Sequence, residues 1–147
     1  MLNYYSDKLS ADGLRRCYEL ATPRVKEYLE AEIDYVCQKI RFGDRILELG
    51  CGYGRIIPQL AAKSGLIVGI DTSYLSIKHG RNVIKNANHC HLLVMNALQL
   101  GFPDRTFDRV ICIQNGISAF HVDSRILIRE AVRVTRPGGS VIFSSYA

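Results

Sequence analysis

A chain of 147 residues fits one domain with its own hydrophobic core, and nothing in it suggests a second. Its 48% hydrophobic and 22% charged residues fit a soluble globular protein, and no apolar stretch approaches the roughly 18 residues of a membrane span. The net charge of +5 comes from basic residues dispersed along the chain, with no aromatic residues interleaved as a stacking platform, which argues against nucleic acid as a partner.

The start of the chain, with Asn3, Tyr4 and Asp7 close behind Met1, lacks the form of a signal peptide. Residues 1–40 read as an N-terminal helical segment, and within it residues 1–21 as a small lid whose Tyr4 and Tyr5 could fold over a ligand. Thr22-Pro23 opens a longer helix, with a hydroxyl to cap it and a proline in its first turn. Val25, Tyr28, Leu29, Ile33, Val36, Cys37 and Ile40 follow at helical spacing and form its buried face.

From residue 41 the pattern alternates. An apolar run over 46–49, carrying Glu48, ends in the glycine-rich turn Gly50-Cys51-Gly52-Tyr53-Gly54 and a short helix faced by Ile56, Ile57, Leu60 and Ala61, with Gly65 as its stop. A second apolar run over 66–71 ends in Asp71. Ser73 caps a helix to about residue 86 that buries Leu75, Ile77, Val83 and Ile84. Strands follow over 92–95 and 109–113. Asp123 caps a helix with Ile126, Leu127, Ala131 and Val134 on one face, and 141–143 is the fifth strand. Strands apolar on both faces, alternating with helices, predict an α/β fold: a doubly wound, mainly parallel sheet with helices on both faces.

The five cysteines, Cys17, Cys37, Cys51, Cys90 and Cys112, are odd in number and mostly lie in apolar runs, which points to buried thiols in a reducing, cytoplasmic compartment. No metal site is expected. His89-Cys90-His91 would point to opposite faces of an extended segment, and no second ligand pair at zinc spacing exists.

Four segments carry a resemblance: Glu48-Leu49-Gly50-Cys51-Gly52-Tyr53-Gly54, the run over 66–71 with its terminal Asp71, the stretch over 98–110, and Arg133-Val134-Thr135-Arg136-Pro137-Gly138-Gly139. Together, over roughly residues 40 to 147, the chain resembles the class I, Rossmann-like, S-adenosylmethionine-dependent methyltransferases. Residues 41–147 are then the domain that binds S-adenosylmethionine, and the helical segment over 1–40 is its cap. A member of this family normally continues to a helix and an antiparallel hairpin. Residues 141–143 are therefore expected to form an edge strand with unpaired outer groups, open to self-association.

The resemblance also implies a set of roles. Glu48 lies near the methionyl end of the cofactor, and Gly50, Cys51, Gly52, Tyr53 and Gly54 admit its chain. Asp71, followed by Thr72, accepts hydrogen bonds from the ribose hydroxyls, a geometry that serves NAD-binding folds equally. Asn96 and Ala97 meet the adenine, although Asn96 also suits a simple turn. Gln114 and Asn115 face the methyl group and the acceptor. His121 is the candidate base, with a surface histidine the more ordinary reading. The expected function is methyl transfer to a small molecule. The alternatives are a non-catalytic or fragmentary module that holds the cofactor, and an NAD-dependent oxidoreductase, disfavoured by the GxGxG spacing.

Overall fold

The computed structural model describes residues 12–114, 117 and 120–145. Two helices come first, α1 (Asp12–Leu20) and α2 (Pro23–Lys39), followed by β1 (Arg45–Leu49), α3 (Ile57–Ala61), β2 (Leu66–Asp71), α4 (Tyr74–Val83), β3 (Cys90–Val94), β4 (Phe107–Cys112), α5 (Ser124–Val134) and β5 (Thr135–Phe143). The five strands form one sheet in the order β3-β2-β1-β4-β5, and every pairing is parallel. The chain starts at the centre, winds outward to β3, then returns beside β1 and winds the other way. The reversal leaves a crevice between the C-terminal ends of β1 and β4, where open α/β sheets bind ligands.

Alternate residues of β1 feed two cores. Ile46 packs on one face with Ile33 and Val36 of α2, Ile57 and Leu60 of α3, and Ile77 of α4. Leu47 and Leu49 pack on the other with Leu127, Ala131 and Val134 of α5. A strand covered on both sides carries apolar residues on both faces, as β1 does with Ile46, Leu47 and Leu49 and β4 with Phe107, Val110, Ile111 and Cys112. The helices start where their capping residues stand: Thr22 Oγ1 accepts from the Val25 N–H, Ser73 Oγ from Ser76, and Asp123 Oδ1 from Arg125.

Several element bounds differ from those predicted. β3 begins at Cys90 and β4 at Phe107, earlier than their apolar runs suggested. β5 begins at Thr135 and bulges: Thr135 pairs with Phe107 and Ser140 with Arg109, so the Pro137-Gly138-Gly139 segment is extra length on the outer strand. Gly138 takes φ +78°, and a Cβ on Gly139 would lie 2.6 Å from the Asp108 carbonyl oxygen. Gly65 is likewise a close approach, to the Gly43 carbonyl oxygen, rather than a helix stop.

Two predicted faces are also corrected. Leu75 and Val83 of α4 are 57% and 40% exposed, while Ile77 is buried as predicted and Ser76 and Gly80 are buried beside it. A Cβ on Gly80 would meet Leu92 Cδ1 at 2.5 Å and the Tyr53 carbonyl oxygen at 2.7 Å, so the helix presents its glycine to the turn after β1. In α2, Val25 and Tyr28 are exposed, and burial begins at Leu29.

At the N-terminal ends of the strands the buried charges are paired. Arg109 Nε lies 3.1 Å from Asp44 Oδ2 and donates to the Lys39 carbonyl oxygen. Asp44 accepts from the Arg41 N–H at 2.9 Å, while Asp108 accepts from the Arg45 N–H at 2.8 Å and forms an ion pair with Arg136. This network ties α2 and β5 to the foot of the two central strands.

Candidate functional site

At the opposite end of the sheet a cavity of about 260 Å³ opens over the turn after β1. Parallel strands deliver their last residues there together: Glu48 from β1, Asp71 from β2, Asn96 just past β3, and Gln114 just past β4. Gly50, Gly52 and Gly54 all have positive φ, at +72°, +55° and +74°. A left-handed backbone is open to glycine at little steric cost, and here it lets the main chain form the cavity floor. The turn is held from below, since the Gly50 and Cys51 N–H groups both donate to the Ile70 carbonyl oxygen at 2.9 Å.

The floor has close neighbours. A Cβ on Gly50 would fall 2.9 Å from Phe120 Cζ, and one on Gly52 would fall 2.9 Å from Leu14 Cδ2. Leu14 and Tyr18, one turn apart on α1, line the cavity, so α1 lies over the glycine turn. Among the described residues of α1 none is fully buried.

Two carboxyl groups face this space in different ways. Asp71 Oδ2 accepts from the Gly52 N–H at 3.0 Å, and Oδ1 accepts from the Ser73 N–H at 2.8 Å. Burial pushes its pKa up, and those backbone donors pull against the shift. Each oxygen keeps further acceptor capacity for a ligand hydroxyl. Glu48 is buried, its Oε2 has no hydrogen-bond partner, and its pKa is pushed up to about 8 by burial, with Arg55 opposing and Asp71 adding to the rise. A buried carboxyl oxygen without a partner is costly, and a cationic ligand group would supply one.

Arg55 is the cation of the cavity. Its guanidinium lies 4.1 Å from the centroid of the Tyr18 ring and donates to Gln114 Oε1, while its Nε is buried without a partner. Gln114, at φ +60°, is fixed in turn: its N–H donates to Ser144 Oγ and its Nε2 to the Leu29 carbonyl oxygen. The Cys51 thiol is pushed well above its ordinary pKa by burial, so it is a packing group and no nucleophile.

Of the residues singled out in the sequence, Glu48, Gly50, Cys51, Gly52, Tyr53 and Asp71 line the cavity, as do Thr72, Asn96 and Gln114. Gly54 and Ala97 do not. Gly54 faces Leu92 and Ile57, and Ala97 packs into the core beside α5. The Asn96 side chain closes a turn, its Oδ1 accepting from the Leu98 N–H at 2.9 Å. His121 is exposed at φ +48°, while its neighbours Phe120 and Val122 line the cavity; the curl of the chain turns both of them inward and His121 out. Asn115, Tyr4 and Tyr5 lie outside the described residues. His89, Cys90 and His91 diverge: His89 Nε2 contacts the Ala61 carbonyl oxygen, Cys90 is buried and His91 exposed.

Sequence reasoning missed Arg55, Leu14 and Tyr18. A basic residue directly after the glycine turn, and two large apolar residues four apart in the predicted lid, were the available signals. Among the described residues no helix is long and apolar enough to cross a membrane.

Residues 46–139 match the sequence profile of the methyltransferase domain. The 27-O-demethylrifamycin SV methyltransferase of Amycolatopsis mediterranei is 30% identical over 87% of this chain and 46% of its own length. The O-methyltransferase rstn1 of Aspergillus nomiae is 32% identical over 93% of this chain and 58% of its own. The crystal structure of the YcgJ protein from Bacillus subtilis shares the fold, with a TM-score of 0.72 at 20% identity over 78% of this chain and 50% of that one. The chain thus spans about half the length of the curated relatives it matches.

Proposed function

The chain belongs to the class I, S-adenosylmethionine-dependent methyltransferase family, and from that premise we propose that its cavity binds S-adenosylmethionine and presents the methyl group to a small-molecule acceptor. The observation that carries this reading is the pair of cavity-lining carboxyls, Glu48 and Asp71, on either side of a turn whose glycines let a ligand touch the backbone. The residues fit the group. Asp71, held by two backbone N–H groups, suits the vicinal hydroxyls of a ribose. Glu48, buried with an unpartnered oxygen, suits an ammonium. Residues 41–147 act as the cofactor domain, and the segment over 1–40, with α1 and α2, acts as its cap.

The bound cofactor supplies a sulfonium-linked methyl group that an electron-rich acceptor atom can displace. The protein's own task is positioning, which can account for most of the acceleration in a reaction of this kind. Gln114, anchored by Ser144 and the Leu29 carbonyl, borders the acceptor side as a rigid polar wall. Phe120 and Val122 add apolar surface there, which suits a small organic acceptor. Among the described residues no histidine lines the cavity, so the reading assigns no protein base. The five unpaired cysteines support a reducing, cytoplasmic compartment. Among the described residues β5 forms one edge of the sheet, and its unpaired outer groups suit either a second copy of the chain or a further strand of a longer one; sedimentation tests the first.

Calorimetry with S-adenosylmethionine, S-adenosylhomocysteine and NAD tests the cofactor. Binding of both adenosyl ligands and weak binding of NAD is the expected result, and tight NAD binding with no response to the others would overturn it. A methyl-transfer assay on small hydroxyl, amine and carbon acceptors then separates an enzyme from a module that only holds the cofactor.

A further inference from the structure

The connectors at the foot of the sheet, where the strands begin, turn their cations outward and keep most of their acids inside. Lys39 ends α2, Arg41 and Arg45 flank the turn into β1, Lys63 stands between α3 and β2, Arg105 precedes β4 and Arg136 lies at the start of β5; all are exposed. Among the described residues the carboxylates there are spent: Asp44 and Asp108 are buried against Arg109 and Arg136, and Asp104 pairs with Arg133. The exposed carboxylates of α2, Glu27, Glu30 and Asp34, all precede its last turn. This end therefore shows solvent a surplus of positive charge. Between Arg41 and Arg45 stands Phe42, 93% exposed, whereas Phe102, Phe107, Phe120 and Phe143 are all at least partly buried. The turn that carries it is built to hold it out. The Asp44 N–H donates to the Arg41 carbonyl oxygen at 3.1 Å, Asp44 Oδ2 accepts from the Arg41 N–H at 2.9 Å, and Gly43, at φ +85°, donates its N–H to the Lys63 carbonyl oxygen at 2.8 Å. Phe42 is the outer corner of that tight turn, and its exposure forgoes the free energy that burying the ring would bring.

We propose that this end of the molecule docks reversibly on an anionic phospholipid surface, with Phe42 entering the boundary between headgroups and acyl chains and Lys39, Arg41, Arg45 and Lys63 facing the phosphates. The inference is independent of the cofactor reading. An apolar ring set among cations matches that boundary, because lysine and arginine stems lie along apolar surface while their heads reach phosphate oxygens. Each basic residue close to an anionic leaflet adds to the attraction. The turn is already fixed, so seating Phe42 costs little further ordering. A nucleic acid fits less well: Phe42 offers a base one stacking surface, and the exposed Tyr35 ring is covered by Lys39. Docking by the foot also leaves the cavity, at the other end of the strands, facing the aqueous side, where a small acceptor can reach it. The carboxylates higher on α2 are repelled by the same surface, which fixes the orientation.

Sedimentation with vesicles of phosphatidylcholine alone, and of phosphatidylcholine mixed equally with phosphatidylglycerol, reads the partition of the full chain. Wild type is expected to follow the anionic vesicles only, and to come off them as salt is raised. Phe42→Ser, and the double variant Arg41→Gln with Lys63→Gln, are each expected to weaken the partition by about tenfold or more, the scale of one buried ring or of two surface cations. Phe42→Trp gives a reading that needs no loss of binding. The chain has no tryptophan, so its emission reports this one position, and a blue shift with anionic vesicles but not with neutral ones is expected. Absence of binding to anionic vesicles, equal binding to neutral ones, an unchanged partition in either loss variant, or an unshifted emission overturns the proposal. Binding of polyuridylate or polyglutamate through the same residues, without vesicle binding, assigns the surface to a nucleic acid or an acidic protein and overturns the lipid partner.

Discussion

The two ends of the sheet treat buried ionisable groups in opposite ways. At the N-terminal ends of the strands, Asp44 is paired with Arg109, and Asp108 with Arg136, each aspartate taking a backbone N–H besides. At the C-terminal ends, Glu48 and Arg55 share a cavity without meeting, and each keeps a buried polar atom unpartnered. The paired end meets its carboxylates with arginines of the same chain. The unpaired end holds unmet hydrogen-bonding capacity that a ligand can satisfy, so stability and ligand binding lie at opposite ends of the same strands.

If that division holds, breaking the paired end should cost stability and spare binding. Asp44→Ala leaves Arg109 buried without its carboxylate and is expected to destabilise the fold by about 3 to 5 kcal/mol, with adenosyl-ligand affinity unchanged in the folded fraction. Denaturant titration and calorimetry on the same samples read both arms, and a stable variant with weakened binding would dissolve the distinction.

The second test attacks the floor of the cavity. Gly52→Val meets two obstacles, a backbone at φ +55° that a β-branched residue resists and a Cβ placed against Leu14 Cδ2. Leu14 is a flexible side-chain end and can yield, but α1 then lifts from the turn. More than about a hundredfold loss of ligand affinity is expected, and calorimetry at full occupancy would expose retained binding.

Asp71→Ala sharpens the comparison further. Loss of the ribose acceptor should weaken binding by about 1.5 to 3 kcal/mol, part of it through the Gly52 and Ser73 N–H groups that lose their partner. An unchanged dissociation constant in a folded variant would assign Asp71 to the turn alone.

The smallest expected effect has opposite signs for stability and binding. With its pKa at about 8, folded Glu48 keeps its proton between pH 4.5 and 8 while the unfolded chain releases it. Stability is therefore undiminished below pH 4.5, falls as pH rises through this window, and levels off above 8. Glu48→Gln removes that fall and is expected to be about 1 to 2 kcal/mol more stable than wild type by pH 8, allowing for relaxation and water entry around the buried group. The same substitution should weaken S-adenosylmethionine binding. Thermal melts across pH 5 to 9 with and without ligand check both signs, and a wild type whose stability rises through this window would contradict the buried, unpaired state of Glu48.

The glycine turn, the acid ahead of it and the acid closing the second strand were legible because each is a local necessity. Positive φ at Gly50 and Gly52 calls for glycine, and a carboxyl at a strand tip stands out against apolar neighbours. The alternation of elements was legible for the same reason, since a strand covered on both faces carries apolar residues on both. Helix faces were read less well. Leu75 and Val83 satisfied the helical period yet lie outward, because contact between Gly80 and the Tyr53 carbonyl sets the rotation of α4.

What the sequence determined by itself was the order of elements, the doubly wound class and the identity of the residues that end β1 and β2. Only the tertiary structure decided which charges meet. Asp44 and Arg109 are 65 positions apart and form an ion pair, whereas Glu48 and Arg55 are seven apart and do not. His121 shows the same limit: its position after the fourth strand suggested a place at the reaction, and the curl of the chain between Phe120 and Val122 turned it to the surface. Local chemistry selects turns, caps and strands through neighbours along the chain. The pairing of charges depends on how separate elements pack, and no local pattern encodes that distance.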